Sequence, residues 1–198
     1  MDLHTWTAYL LASILIAVSP GSGAVLAMSH GLNYGVRRAG ATIAGLQLGL
    51  LVILVVAGAG VGSLLMASEL AFNIVKTLGA LYLVYIGFMQ WRSPAAPVAG
   101  ENGPVAAPGS SPRKKLLTGF LTNVTNPKGI VFMVAVLPQF ITDSRPLAPQ
   151  LLIIALTTVA VDCVVMSGYA FAASRLQALF RDARAMRVQT FFCFAKRK

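Results

Sequence analysis

Long apolar stretches dominate the chain, and short basic segments separate them. With histidine counted as neutral, no charge lies between Asp2 and Arg37, and none lies between Arg38 and Glu69. These stretches exceed the roughly 20 residues that a helix needs to cross a bilayer. The pattern predicts five membrane-spanning helices. The predicted spans are Thr5–Met28, Ala39–Met66, Ala71–Trp91, Leu116–Phe140 and Leu151–Ala173.

The composition agrees with this pattern, because 57% of the 198 residues are hydrophobic and only 11% are charged. Soluble domains carry about 25% charged residues. A soluble enzyme, a secreted domain held together by disulfides and a disordered tail are therefore excluded. The sequence predicts an all-α integral membrane protein with five transmembrane helices and a short or truncated sixth.

The net charge of +10 is concentrated in the segments between the apolar runs. Basic clusters of this kind follow the positive-inside rule, by which they stay in the cytoplasm. They lie at residues 37–38, 92–115 and 175–187, so the N-terminus is expected outside. The bilayer is thus the predicted partner, and no nucleic-acid partner is expected.

A segment rich in proline, glycine and serine divides the apolar sequence into two parts. Residues 1–92 form a predicted first membrane half with three spans, and residues 93–115 form a basic cytoplasmic linker. Residues 116–198 form a second half with two spans and an apolar, basic tail. The apolar part of this tail, Val188–Ala195, is too short to cross a bilayer. We expect it to lie at the interface or to mark a lost sixth span.

Turn-forming residues interrupt two of the predicted spans, at Ser19–Gly23 and at Asn123–Gly129. In each we expect an N-capping residue, Ser19 or Asn126, followed by proline at the first position of a restarted helix. One such site alone is as readily explained by a proline kink. Two matched breaks, one in each three-helix half, indicate an inverted repeat with a substrate site where the breaks meet.

Restarted helices would direct free N–H groups and positive dipole ends toward the middle of the membrane. A substrate carboxylate is a ligand that such ends bind. The predicted substrate-binding residues are Ser19, Pro20, Gly21, Ser22, Gly23, Gln47, Asn123, Asn126, Pro127 and Lys128.

Two charged residues, Lys128 and Asp162, fall near the centres of their spans. A charge at that depth costs at least about 2.5–3.5 kcal/mol. The two residues either form a structural ion pair, or Lys128 binds a carboxylate while Asp162 binds an ammonium group or couples transport to protons. Gln47 and Asn123 are either ligands or polar bridges between helices. Gln47 also lies in Gly45–Gly49, a small-residue pattern typical of close helix packing.

No metal site, cofactor or catalytic residue is expected from the sequence. His4 and His30 are isolated, and Cys163 and Cys193 match no metal-binding spacing or disulfide framework. A heavy-metal or ion exporter is therefore disfavoured, and an enzyme is not expected.

The chain resembles the LysE/RhtB family of amino-acid exporters, most closely its homoserine and homoserine lactone efflux branch. The resemblance extends to about Arg187 and is carried by both break motifs, Ala44–Gly49, Gly79–Leu83 with Gly87, Pro138–Phe140 and Val161–Asp162. It implies a multi-pass secondary transporter of the bacterial inner membrane that exports a small amino acid such as homoserine or threonine, in exchange for protons. The alternative is a transport-inactive subunit or interaction scaffold that keeps the exporter fold after loss of the last helix. Small-residue faces are compatible with a homodimer.

Overall fold

The computed structural model describes residues 1–92, 111–142 and 144–195, and within these ranges it contains α-helices and no β-strands. The all-helical prediction is therefore confirmed. The helices are α1 (Leu3–Val18), α2 (Ser22–Tyr34), α3 (Val36–Ala67), α4 (Glu69–Arg92), α5 (Pro112–Val124), α6 (Pro127–Phe140) and α7 (Leu147–Ala195).

Two segments are long and apolar enough to cross a membrane unaided, Val36–Ser63 of α3 and Leu147–Gln177 of α7. The pairs α1–α2 and α5–α6 also qualify if each is taken as one bent span, with bends of 57° and 54°. The described residues thus contain between two and four candidate spans. The count of five spans and a short sixth stays a prediction.

Local capping explains where two of the helices begin. The Asp2 carboxylate accepts the N–H of Thr5 at 2.7 Å, and this backbone hydrogen bond lowers the pKa of the carboxyl group. Ser111 accepts the N–H of Lys114 in the same way, with Pro112 in the first turn. Helix α5 therefore begins inside the segment 93–115 that was predicted as a linker. Residues 93–110 of that segment lie outside the described residues.

Helix α7 is longer than the sequence pattern predicts. A basic loop was expected after Ala173, followed by a separate apolar tail, but α7 continues without interruption to Ala195. The physical reason is that neither glycine nor proline occurs after Gly168. Alanine, leucine and arginine, which are good helix formers, fill much of the basic segment. The backbone of the apolar stretch Val188–Ala195 consequently belongs to the same helix.

Contacts along α1 and α7 show that these two helices run parallel. Near the beginning of α1, the Trp6 indole N–H donates to Thr157 Oγ1 at 3.1 Å. Near its end, the Tyr169 hydroxyl donates to the Val18 carbonyl at 2.6 Å. Residue numbers therefore rise in the same direction on both helices.

Helix α3 packs between α7 and α5. It runs antiparallel to one of them and parallel to the other. The contacts that define this are Gly58–Leu151 and Gly62–Leu147 for α3 with α7, and Gly45–Leu116 and Gly49–Phe120 for α3 with α5. Helix α3 is therefore antiparallel to α7 and parallel to α5. It follows that α5 runs opposite to α1, so the two interrupted helix pairs enter the bundle from opposite ends.

Glycine allows α3 and α5 to pack with their backbones almost in contact. A Cβ atom added at Gly45 would lie 2.0 Å from the Leu116 carbonyl oxygen. A Cβ atom added at Gly119 would lie 2.2 Å from the Thr42 carbonyl oxygen. No side chain fits at such distances, which confirms that the pattern around Gln47 marks close helix packing.

Apolar side chains cover the outer faces of the helices, as the composition predicts. Val56 is 67% exposed and Val164 is 73% exposed. Inside, two buried clusters hold the helices together. One joins α1, α3, α6 and α7 through Tyr9, Leu50, Phe132, Met133 and Ile154, and the other joins α2, α3 and α7 through Ala24, Leu46, Met166 and Ala170.

Candidate functional site

A cavity of about 80 Å³ lies where the two buried clusters meet, next to both helix breaks. One ordered water needs about 10–15 Å³ of such space, so the cavity holds several waters or a small ligand. Most of the predicted site residues line it: Ser19, Gly21, Gly23, Asn123, Asn126, Lys128 and Asp162. Four of them do not line it. Pro20, Ser22 and Pro127 are exposed, and Gln47 is hydrogen-bonded to Asp162, which does line the cavity.

The first break differs in detail from the sequence prediction. Ser19 was expected to cap α2, but it is the C-cap of α1, and its N–H donates to the Leu15 carbonyl. Proline restricts the residue before it to extended backbone, which ends α1 at this point. Gly21 is also extended and is the true N-cap, so α2 starts at Ser22 rather than at Pro20.

The N-terminus of α2 faces the cavity without a side-chain cap. Gly21 has no side chain to accept an N–H group, so the N-cap residue itself provides no cap. The first N–H of this turn to find a helical acceptor belongs to Val25, which donates to the Gly21 carbonyl. Gly23 and Ala24 both line the cavity. The free N–H groups and the positive dipole end of α2 therefore favour an anion there.

The second break follows the sequence prediction. The Asn126 side chain accepts the Lys128 N–H at 3.1 Å, and Pro127 occupies the first turn of α6. The N-terminus of α6 is therefore capped by the chain itself, in contrast to that of α2. Asn123 donates from Nδ2 to the Leu46 carbonyl at 2.6 Å, so it bridges α5 and α3 while also lining the cavity.

Lys128 connects the two breaks. Its ammonium group donates to the Ile16 carbonyl at 3.0 Å and to the Ser19 carbonyl. Both carbonyls belong to the C-terminal end of α1, where the last helical turn lacks internal donors and the dipole is negative. An ammonium group has three N–H donors, so one remains for a ligand in the cavity.

Asp162 takes a different partner from Lys128. Its Oδ2 atom accepts the Gln47 amide Nε2 at 2.6 Å. The Gln47 side chain is 8% exposed, and its Oε1 atom has no hydrogen-bond partner within the described part of the chain. The hydrogen bonds of Lys128 and Asp162 thus go to separate groups, although both residues line the same cavity.

Two hydroxyl-bearing residues of the cavity, Ser13 and Thr158, were not predicted from the sequence. Isolated serine and threonine residues are common in apolar helices, so nothing in the pattern distinguishes these two. The contacts between α1 and α7 place them on the cavity wall. Among the described residues, no group of three His, Cys, Asp or Glu side chains comes together as a metal site.

Comparison with known proteins places this geometry in context. The family model described as LysE type translocator matches residues 14–194. The chain is 43% identical over 187 residues to the homoserine/homoserine lactone efflux protein of Salmonella typhimurium, covering 94% of this chain and 89% of that one. It is 42% identical over 186 residues to a membrane protein of Vibrio cholerae, with the same coverage of 94% and 89%.

A more distant relative is the leucine efflux protein of Klebsiella pneumoniae, which is 31% identical over 160 residues. That match covers 80% of this chain and 74% of the relative. No solved structure matches the chain.

Proposed function

We propose that this chain, which belongs to the LysE type translocator family, exports a small neutral amino acid. The family consists of transporters, so the chain is a multi-pass membrane transporter and not an enzyme. Homoserine, homoserine lactone and threonine-like molecules are the proposed substrates, because the Salmonella typhimurium relative is a homoserine/homoserine lactone efflux protein. The leucine efflux relative is less similar and supports the broader class of neutral amino acids.

The observation that carries this proposal is the arrangement of charge around the cavity. The remaining N–H donor of Lys128 and the uncapped N-terminus of α2 favour a carboxylate. Asp162 lines the same cavity and favours an ammonium group. A free amino acid such as homoserine carries both of these charged groups on its Cα atom, so one molecule can satisfy both sides of the site. Homoserine lactone keeps the ammonium group and offers an uncharged ester carbonyl oxygen in place of the carboxylate.

Asp162 is the proposed proton-coupling residue. Its carboxylate can hold either the substrate ammonium group or a proton, and the two exclude each other by charge. The Gln47 amide orients the carboxylate in both states, because it donates to Oδ2 at 2.6 Å. Exchange of one amino acid for one proton across the inner membrane follows from this competition.

The directions of the helices support an inverted repeat. Helix α1 runs opposite to α5, and α3 runs opposite to α7, as the contacts of α3 with α5 and α7 require. Halves 1–92 and 116–198 would then enter the membrane from opposite sides, which places both breaks at the same depth. The proposed topology has the linker in the cytoplasm and the N-terminus outside.

Efflux of labelled homoserine from bacterial cells with and without the chain tests this function. We expect faster efflux with the chain and loss of that efflux when the proton gradient is dissipated. Asp162→Asn keeps an acceptor for Gln47 and similar volume but removes the titrating group, so its residual transport should not respond to the gradient. A well-inserted wild-type chain that exports none of homoserine, threonine and leucine would contradict the proposal and favour a transport-inactive subunit.

A further inference from the structure

Ser13 presents an unpaired hydroxyl group to the cavity. The residue is only 2% exposed, and its Oγ atom has no hydrogen-bond partner among the described residues. A buried polar atom left without a partner costs about 1–3 kcal/mol. Such an atom in the wall of a ligand cavity is explained by a partner that arrives with the ligand.

Other helical hydroxyl groups in this chain show that the state of Ser13 is unusual. A helical serine or threonine commonly donates to the carbonyl four residues earlier. Among the described residues, five threonines make this bond at 2.7–2.8 Å: Thr77, Thr118, Thr125, Thr157 and Thr158. Ser13 forms no such bond. The Tyr9 hydroxyl group lies near Ser13 but makes its hydrogen bond with Thr158, so Ser13 Oγ has no hydrogen-bond partner among the described residues.

The neighbouring hydroxyl groups cannot satisfy Ser13 with their own protons. Thr158 donates to the Ile154 carbonyl at 2.7 Å, so in its contact with Tyr9 it is the acceptor and the tyrosine hydroxyl is the donor. The hydroxyl protons of Thr158 and Tyr9 therefore both take part in hydrogen bonds already. Thr158 also lines the cavity and keeps lone-pair capacity for a ligand hydroxyl.

The two hydroxyl groups lie on the same side of the first helix break, toward the N-terminal ends of α1 and α7. Ser13 precedes Ser19 by six residues on α1, and Thr158 precedes Asp162 by four residues on α7. At a rise of 1.5 Å per residue, Ser13 lies about 9 Å from Ser19 along α1, and Thr158 lies about 6 Å from Asp162 along α7. The contacts of Trp6 with Thr157 and of Val18 with Tyr169 put Asp162 near the level of Ser13. Ile16, Ala17 and Met133 line the cavity as well, and they are apolar. The site therefore has the Lys128 ammonium group next to the break, the Asp162 carboxylate near the level of Ser13, and hydroxyl and apolar groups on the remaining wall.

We propose that Ser13, assisted by Thr158, binds the side-chain hydroxyl group of the substrate and so makes the transporter selective for short hydroxylated amino acids. This inference rests on the proposed export function. The substrate hydroxyl accepts from Ser13 and donates to a free lone pair of Thr158, while the α-carboxylate binds near Lys128 and the ammonium group binds near Asp162. An apolar side chain of equal size would leave Ser13 unpaired.

Homoserine and norvaline test this selectivity, because a methyl group in norvaline replaces the hydroxyl group of homoserine. We expect the wild type to export homoserine about 3- to 10-fold faster, as one net hydrogen bond allows. Ser13→Ala should lower homoserine efflux to the norvaline rate and leave norvaline efflux unchanged or raised. Ser63→Ala is the matched control, because the Ser63 hydroxyl donates to the Gly60 carbonyl on an exposed face of α3.

The Ser13→Ala protein should accumulate to the wild-type level, because the hydroxyl that it lacks makes no hydrogen bond within the described part of the chain. An equal loss of efflux for both amino acids, or an unchanged preference for homoserine, would overturn the assignment while leaving export intact.

Thermal stabilisation of the purified protein by homoserine and by norvaline separates the two proposals. Stabilisation by homoserine that Ser13→Ala abolishes, without efflux, supports the hydroxyl site and contradicts export. Absence of both efflux and stabilisation in the wild type overturns both.

Discussion

Lys128 lies in the first turn of α6, and its ammonium group binds the C-terminal end of α1. A cation at the N-terminus of α6 opposes the helix dipole, and the carbonyls of Ile16 and Ser19 offset that cost. The same hydrogen bonds hold the two breaks at a fixed separation. A single side chain therefore contributes both to the structure of the site and to its charge.

Replacement of the two central charges separates these roles. Lys128→Met should lower homoserine efflux about 10- to 100-fold, the range expected for hydrogen bonds to a charged group. Adding Asp162→Leu should not restore efflux, because Asp162 bonds to Gln47 rather than to Lys128. The measurement is efflux normalised to the amount of inserted protein. Wild-type efflux from the double variant would make the two residues a dispensable structural pair.

At the scale of the helix elements, the open N-terminus of α2 is a consequence of glycine at its N-cap. Serine at this position normally accepts an N–H of the first turn and stabilises a helix by about 1 kcal/mol. Space for it exists, because a Cβ atom at Gly21 would lie 3.4 Å from Lys128 Cδ, an ordinary contact distance. The absence of a cap thus leaves the N–H groups available for a ligand.

Gly21→Ser should therefore raise thermal stability and weaken substrate binding, because the new hydroxyl competes with the carboxylate for the same N–H groups. Gly21→Ala is the control, since it adds the Cβ atom without an acceptor. Melting temperature and the homoserine concentration for half-maximal transport measure the two effects. Equal behaviour of the serine and alanine variants would show that the α2 N-terminus does not bind the substrate.

Close packing of α3 against α5 is the second feature at this scale. Gly45→Ala would place a Cβ atom 2.0 Å from the Leu116 carbonyl oxygen, so the helices must separate. We expect a loss of about 1–3 kcal/mol in stability and a lower efflux rate. Gly40→Ala on the same helix meets nothing within 4 Å and should be neutral or stabilising by up to about 1 kcal/mol. Comparable unfolding of both variants in detergent would contradict this account of the interface.

At the scale of the whole molecule, the helix directions determine which connections share a side of the membrane. Since α1 is parallel to α7 and antiparallel to α3, the segment before α5 and the segment before α7 lie at opposite ends of the bundle. The positive-inside rule then assigns the basic end to the cytoplasm.

Labelling of single cysteines tests this assignment in intact cells after both natural cysteines have been replaced by serine. Ser144 and Ser111 are both exposed and make a matched pair. Ser144→Cys should react with a membrane-impermeant maleimide added outside, because it precedes α7 at the outer end. Ser111→Cys should react only after the membrane is permeabilised. The reverse labelling pattern would invert the topology without changing the fold.

Hydrophobic pattern and composition alone determined that the chain is a helical membrane protein with two interrupted helices, because burial in lipid requires continuous apolar segments and proline interrupts them locally. The Asn126 cap and the glycine packing around Gln47 were also predictable, since both depend on short-range geometry. The Gly21 cap was missed, because Ser19, which precedes Pro20, is extended whether it ends one helix or caps the next.

Only the tertiary structure decided which polar groups share the cavity. The partners of Lys128 and Asp162 lie on helices distant in sequence, at Ile16, Ser19 and Gln47. The role proposed for Ser13 likewise depends on the lack of a hydrogen-bond partner among the described residues, which the local sequence does not predict. Sequence spacing orders residues along one helix, whereas the direction and rotation of neighbouring helices set which side chains meet across them.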